Sequence, residues 1–294
     1  MDICLHTIWE INEGFIGGTE RFLVELSKEL RLLGASPTIV CTGLKGKGEV
    51  EGIPVHRCID PKYADALQQY SGMNINFILN EVIGATFSVE SLHRLAAFTK
   101  YQIGMINADV YHLNSFASAA MLQPYAPSIA TNHENNLEYD FYWGEGFYRQ
   151  LATLASSNQT CLDKYFELTT PSAYYADQYR KDFSLDVSSI HLGVCLDSFP
   201  VAPMSKPKKK KQLDVLLPSR FAVYQKGHDI ALEATRLLKG KGTPVRFTFS
   251  GARANYMKEI EQFWQMAADK GVDDIVRVKR YVDIQDAYQE CDIV

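Results

Sequence analysis

The sequence predicts an α/β protein built from two successive domains, each a parallel sheet covered by helices. Three observations predict it. Short apolar runs rich in β-branched and aromatic residues alternate with amphipathic helical stretches through the first two hundred residues. A stretch with three prolines and five lysines, residues 200–211, then breaks the alternation. The same alternation restarts at Leu213. A chain of 294 residues is long enough to bury a core in each domain. The expected division is residues 1–200, a Lys/Pro linker at 201–211, and residues 212–294.

Asp2–Trp9 reads as a first apolar strand, followed by a glycine-rich loop, Asn12–Gly18. Residues 19–33 read as a helix with Leu23, Leu26, Leu30 and Leu33 on one face and Gly34 as its stop. Pro37–Thr42 and Pro54–Cys58 are short strands, residues 60–86 a loop with short helical pieces, and Ser88–Tyr101 an amphipathic helix. Asp109–Leu113 and Ser128–Thr131 are strands that end in polar residues. One long aromatic helix is expected over Phe147–Phe166, then strand Glu167–Thr170, helix Ala173–Phe183 and a closing strand Ser189–Gly193.

In the second part, Leu213–Leu217, Val245–Ser250 and Ile275–Tyr281 are strands. Asp229–Lys239, Tyr256–Lys270 and Ile284–Cys291 are helices, and a fourth strand begins at Asp292. In a doubly wound sheet of order 3-2-1-4-5-6 that fourth strand lies beside the first, at the switch point. The chain thus ends at the middle of its expected second sheet, with an unpaired strand edge and uncovered apolar helix faces. The expectation is a second domain that is marginal by itself and prone to associate.

Composition narrows the function. Residues 1–200 carry a net charge of −10 and residues 201–294 one of +5, and the positive excess coincides with the lysines of the linker. An acidic first domain argues against nucleic-acid binding and against a broad footing on anionic lipid, while a local docking patch for peripheral membrane attachment stays open. No apolar run approaches the length of a membrane span, and the N-terminus lacks the basic start of a secretory signal. The six cysteines show no Cys-x-x-Cys pairing and sit mostly in apolar stretches, which fits a reducing compartment, the cytoplasm. No His/Cys cluster has metal-ligand spacing, so no metal is expected.

Chemistry is expected at strand ends. The loop Gly14–Arg21, containing Gly17, Gly18 and Thr19, joins the first strand to the first helix. Glycines there allow close backbone approach, and the helix start favours an anion. The loop is neither a G-x-G-x-x-G fingerprint nor a Walker loop, so a tight turn and a phosphate or hydroxyl cradle both fit. Ser219–Gly227 occupies the equivalent turn of the second part. Its Arg220 and Lys226 stand six residues apart in front of a helix N-terminus, a pattern suited to a diphosphate and to charge on a departing phosphate. His112 and His133 both lie at strand ends of the first domain, where ligands of open sheets bind, and His133 opens the polar run Asn132–Asn136. His6, His56, His93 and His228 read as structural.

In order along the chain, these motifs resemble a family-4 glycosyltransferase of the GT-B fold, two Rossmann-like domains facing across a cleft. Gly17-Gly18-Thr19-Glu20-Arg21 resembles the family's G-G-x-E-R helix opening. Asp109-Val110-Tyr111-His112 resembles its D-V-V-H strand, and Thr131-Asn132-His133 its T-x-H strand end. Leu192–Phe199 resembles N-G-V-D-x-x-x-F, Arg220 through Lys226-Gly227 resembles G-R-x-x-x-x-K-G, and Asp292-Ile293-Val294 the A-D-V strand.

The resemblance implies retaining transfer of a sugar from a nucleotide-sugar donor to a glycan, lipid-linked or small-molecule acceptor, without a metal or other cofactor. It implies catalytic roles for His133, Arg220 and Lys226. Donor binding falls to Gly17, Gly18, Gly193, Gly251, Arg220 and Lys226, and the acceptor side to Thr19, His112 and Glu134. The sequence departs from the pattern at Leu192, Cys195, Ser219 and Gly251-Ala252-Arg253. The family's E-x7-E segment would begin just past Val294. The resemblance therefore implies a hexosyltransferase cut within its donor domain, weakly active or inactive unless a downstream segment or a partner chain completes it. The rival readings are a non-catalytic acceptor-binding or scaffold protein and, more remotely, a nucleotide-sugar epimerase.

Overall fold

The computed structural model describes residues 1–11, 18–43, 46–58, 84, 88–133, 147–193, 211–224, 226–252, 257–280 and 284–294. The chain divides into two compact units, Met1–Cys195 and Leu196–Val294. The linker at 201–210, the region 60–83 and 85–86, and the loop residues 12–17 lie outside the described residues.

The described residues of the first unit form an eight-stranded sheet. Its strands are β1 (Asp2–Thr7), β2 (Ser36–Cys41), β3 (Gly46–Val50), β4 (Ile53–Arg57), β5 (Val110–Leu113), β6 (Ser128–Thr131), β7 (Phe166–Thr170) and β8 (Val187–Ser189). The spatial order is β3-β4-β2-β1-β5-β6-β7-β8, and every pair is parallel except β3 with β4. A parallel strand covered on both faces must be apolar on both. β1 illustrates this: Ile3 and Leu5 enter one core with Ile39, Val55 and Leu23, while Cys4 enters the other with Val40, Tyr111 and Leu95. Each fully buried aliphatic side chain of this kind contributes roughly 1.5–3 kcal/mol.

The helices are α1 (Gly18–Leu32), α2 (Val89–Ile103), α3 (Phe116–Ala119), α4 (Phe147–Ser156), α5 (Leu162–Tyr165) and α6 (Ala173–Phe183). α1 ends as expected at Gly34, whose φ of +81° is left-handed and whose amide bonds Arg31 O while Ala35 N reaches back to Leu30 O. Its buried residues are Glu20, Leu23, Val24 and Ser27, and the expected Leu26 and Leu30 pack half-buried against the same core. Leu33, expected on the buried face, is 84% exposed because the helix has already ended.

Three further expectations differ from the structure. β3 was not foreseen, because Gly46-Lys47-Gly48 has little strand propensity. It is set instead by its turn, where Glu51 and Gly52 have φ of 51° and 78° and place Val50 opposite Ile53. The single helix expected over Phe147–Phe166 is two, α4 and α5. Asn158 is left-handed, and Asn158 N and Gln159 N close the end of α4 on Ala155 O and Leu154 O. The closing strand lies at Val187–Ser189, not at Ser189–Gly193. Ser184 ends α6 in a left-handed turn, so the chain enters the sheet at once, burying Val187 and leaving Ile190 and Leu192 exposed.

The described residues of the second unit form three parallel strands, β9 (Leu213–Pro218), β10 (Val245–Ala252) and β11 (Val276–Arg280), in the order β11-β10-β9. Helices α7 (His228–Gly240), α8 (Met257–Asp269) and α9 (Ile284–Gln289) alternate with them. The chain after α9 returns to the free side of β9, where Ile293 bridges Val215 in parallel and Leu216 N bonds Ile293 O at 2.8 Å. The fourth strand position beside the first is thus the one expected. Among the described residues, no helix is long and apolar enough to cross a membrane.

Candidate active site

In the first sheet the order reverses at β1. The chain winds outward through β2 to β4 on one side, and β5 starts the other side. The carboxyl ends of β1 and β5 therefore frame the switch-point crevice where open sheets bind ligands. The residues there form two hydrogen-bonded sets that meet on the ring of Phe22.

His112, at the end of β5, bonds Thr131 Oγ1 through Nε2 at 2.6 Å, and Thr131 in turn shares a 2.6 Å hydroxyl contact with Thr169. His133, two residues past β6, bonds Asn114 Oδ1 through Nε2 at 2.9 Å. Asn114 is anchored to β1: its backbone N–H and its side-chain Nδ2 both donate to His6 O, at 3.0 and 3.2 Å. Phe22 of α1 packs against His133 with ring centroids 4.7 Å apart and meets His112 edge-on at 6.4 Å.

Burial pushes the His112 imidazole down to about 4, and the neighbouring His133 adds to the shift. Burial likewise brings His133 to about 4. Both rings are neutral at pH 7, suited to accepting or donating hydrogen bonds rather than to carrying charge. His6, expected to be structural, is fully enclosed. Its Nε2 meets Gln102 Oε1 at 2.9 Å, and Gln102 Nε2 continues to Thr42 Oγ1 at 3.1 Å.

The helix that faces this group is fixed from outside. Arg21 and Lys28 of α1 both pair with Glu51 in the β3–β4 turn, Lys28 at 2.7 Å, and Arg31 donates to Gly52 O at 2.8 Å. The motif arginine Arg21 thus holds α1 in place. Thr19 is half-buried and Glu20 buried in the first turn of α1, while Gly18 is exposed, and a Cβ built on it meets nothing within 4 Å. The glycine at 18 is thus not demanded by its packing within the chain. Gly17 and Glu134 lie outside the described residues.

In the second unit, the loop Ser219–Gly227 leaves the carboxyl end of β9, between β10 and the bridging Ile293. Ser219 N bonds Ser250 O at 2.9 Å, Lys226 N bonds Ala222 O at 2.9 Å, and Gly227 caps α7 with φ +68°. The Arg220 and Lys226 side chains are exposed on this loop. Below them His228 is buried, stacked on Phe221 at 4.9 Å and Phe249 at 5.7 Å, with Nε2 3.3 Å from Ser219 Oγ. Gly251, with φ +132°, lies against the Ser219–Arg220 peptide, and a Cβ there would sit 2.3 Å from Ser219 O. Its absence of a side chain is required by this close approach of two backbones. Gly193 is exposed with open space around it.

Sequence reasoning singled out His112 and His133 but missed Asn114, which ties His133 to β1, and Phe22, which packs on both rings. The signal was present: Asn114 follows His112 by two positions at a strand end, the spacing of one sheet face, and Phe22 is one helical turn beyond Thr19.

Two α/β units, each with polar residues at the carboxyl ends of a mainly parallel sheet, have the GT-B fold that the solved glycosyltransferases below share. Residues 16–198 match the model of Glycosyltransferase Family 4, and the chain belongs to that family. Solved structures share the fold at low sequence identity. A glycosyltransferase from Rickettsia africae is 16% identical with a TM-score of 0.58, the match covering 99% of this chain and 72% of that one. Sucrose-phosphate synthase from Thermosynechococcus elongatus is 14% identical with a TM-score of 0.60, covering 97% and 71%. The catalytic domain of starch synthase IV from Arabidopsis thaliana, bound to ADP and acarbose, is 15% identical with a TM-score of 0.59, covering 98% and 75%. No curated protein matches the chain significantly.

Proposed function

We propose that the protein is a retaining glycosyltransferase that moves a sugar from a nucleotide-sugar donor to a hydroxyl-bearing acceptor in the cytoplasm. The observation that carries this reading is the loop Ser219–Gly227 in a family-4 chain. It puts two exposed cations, Arg220 and Lys226, at the switch point of the second sheet and directly before the α7 N-terminus. In the proposed reaction the bond between the anomeric carbon and the phosphate oxygen breaks, and its electrons leave with the nucleoside diphosphate. Arg220, Lys226 and the α7 amides offset the charge that develops there, so the step needs no metal. The acceptor oxygen forms the new bond to the anomeric carbon on the same face, and its proton passes to the departing phosphate. His133 and His112, neutral at pH 7, orient hydroxyl groups at the acceptor side together with Thr19. Glu134 belongs to the same proposal through the family motif.

The test is nucleoside-diphosphate binding by calorimetry, with transfer assays. Each of Arg220→Ala and Lys226→Ala removes a charge-assisted hydrogen bond worth about 1.5–3 kcal/mol, so affinity falls about tenfold or more and transfer falls with it. Wild-type affinity in both variants removes the diphosphate clamp. No nucleotide binding by the unaltered protein would favour an acceptor-binding protein without catalysis.

A further inference from the structure

Asn114 has a side-chain geometry that leaves no choice of orientation. A backbone carbonyl oxygen only accepts hydrogen bonds, so the group that meets His6 O at 3.2 Å must be the amide NH2 of Asn114. The Asn114 backbone N–H donates to the same oxygen at 3.0 Å, tying main chain and side chain to the end of β1. The amide oxygen is therefore the atom that faces His133 Nε2 at 2.9 Å. Two acceptors cannot share a hydrogen bond, so Nε2 must carry the proton. In the neutral ring Nδ1 then keeps its lone pair. Phe22, packed on the imidazole at 4.7 Å, limits rotation of the ring.

We infer that Asn114 is the positioning residue for His133: it fixes the imidazole as the Nε2–H tautomer and sets Nδ1 as the hydrogen-bond acceptor offered to substrate. The substrate group that fits such a nitrogen is a donor, a sugar or acceptor hydroxyl. A neutral ring free to exchange its tautomer would for part of the time carry its proton on Nδ1 and present a donor to that hydroxyl. The anchor on His6 O makes the choice a property of the sheet: β1 and β5 are hydrogen-bonded neighbours, and Asn114 spans their ends. The protonated Nε2 stands on the hydrogen-bond geometry, and the unprotonated Nδ1 on that geometry together with the burial that keeps the ring neutral. The catalytic consequence rests on the glycosyltransferase reading.

The test is long-range proton–nitrogen correlation NMR of the 294-residue chain labelled at histidine nitrogen, at pH 7.5, with Asn114→Leu and Asn114→Asp variants. The unaltered protein is expected to show His133 with a protonated Nε2 and an unprotonated Nδ1. Asn114→Asp keeps an acceptor oxygen for Nε2–H, although its carboxylate no longer donates to His6 O, and is expected to keep Nε2 protonated. Asn114→Leu removes the acceptor and is expected to give a mixture of tautomers. In transfer assays, kcat of Asn114→Leu falls by about tenfold to a hundredfold, more than KM changes, as expected when a reacting group is misplaced rather than a binding group lost. A protonated Nδ1 on His133 in the unaltered protein overturns the inference without any variant. So does a folded Asn114→Leu protein in which the His133 signals do not move. The expected tautomers in a protein with no transferase activity would leave the positioning role standing and remove the proposed function instead.

Discussion

At the scale of single residues, burial fixes the protonation of the first unit. His6, His112 and His133 are all held at about 4 by burial, against an ordinary value near 6.5. Between those two values the unfolded chain binds more protons than the folded one. The stability these neutral rings confer is therefore complete above pH 6.5 and is lost as the pH falls toward 4. Each contributes a slope of up to about 1.4 kcal/mol per pH unit. Urea midpoints measured from pH 7.5 to 4.5 should be flat at first and then fall. His112→Gln keeps a polar partner for Thr131 and removes one titrating ring, so its decline should be shallower; an equal slope would mean that His112 does not titrate with folding. Gly251 makes the opposite kind of residue-scale demand, one of space. An alanine there combines a left-handed φ of +132° with a Cβ 2.3 Å from a backbone oxygen. Strain and overpacking together should cost the second unit roughly 2–5 kcal/mol, read as a lower unfolding midpoint for Gly251→Ala. An unchanged midpoint would show that the Ser219–Arg220 peptide moves aside freely.

At the scale of elements, helix ends and turns decide what the hydrophobic pattern leaves open. α2 starts with a capping box: Ser88 Oγ accepts from Ser91 N at 3.2 Å while Ser91 Oγ accepts from Ser88 N at 3.1 Å. Ser88→Ala should cost about 1 kcal/mol, measured by urea unfolding, and a change within error would make the cap dispensable. Periodicity made the strands and most helices legible, because two-sided burial forces runs such as Ile3-Cys4-Leu5 and amphipathic spacing marks α6 from end to end. The failures all lie where a local conformation overrides composition. A left-handed Asn158 splits α4 from α5, a left-handed Ser184 moves β8 toward the N-terminus, and the Glu51-Gly52 turn makes β3 from residues with little strand propensity. The site was legible in the same uneven way. His112, His133 and the Arg220–Lys226 loop stand out as polar residues at strand ends. The Asn114 bridge to β1 depends on which strands are neighbours, and β1 and Asn114 are more than a hundred residues apart.

At the scale of the whole molecule, the two units are unequal. In the first, two core clusters cover both faces of an eight-stranded sheet. In the second, one cluster covers one face of three strands, with Phe247, Phe249, Val276 and Leu232 buried around Phe263. The other face is mainly polar around the buried Leu216 and Ala287: Arg246 pairs with Asp214, Lys279 pairs with Glu290 at 2.6 Å, and these residues with Thr248 and Arg277 wall a cavity of about 290 Å³. Half-exposed pairs of this kind add little stability, so the smaller apolar core must hold the second sheet nearly alone. Local opening free energy follows buried apolar contact, and the amides of β9 to β11 should exchange with deuterium well before those of β1, β2 and β5. Denaturant should release the second unit in an earlier step than the first. Hydrogen-exchange mass spectrometry through a urea series reads both outcomes, because peptides from Met1–Cys195 and Leu196–Val294 are resolved separately. Exchange of all strands in one cooperative step would show that the units stabilise each other strongly enough to fold as one. A nucleoside diphosphate that binds the Arg220–Lys226 loop adds a direct link between stability and function. At a hundredfold excess over its Kd it should raise the opening free energy of the second unit by about 2.7 kcal/mol, and protection should begin in β9 and α7, which flank that loop.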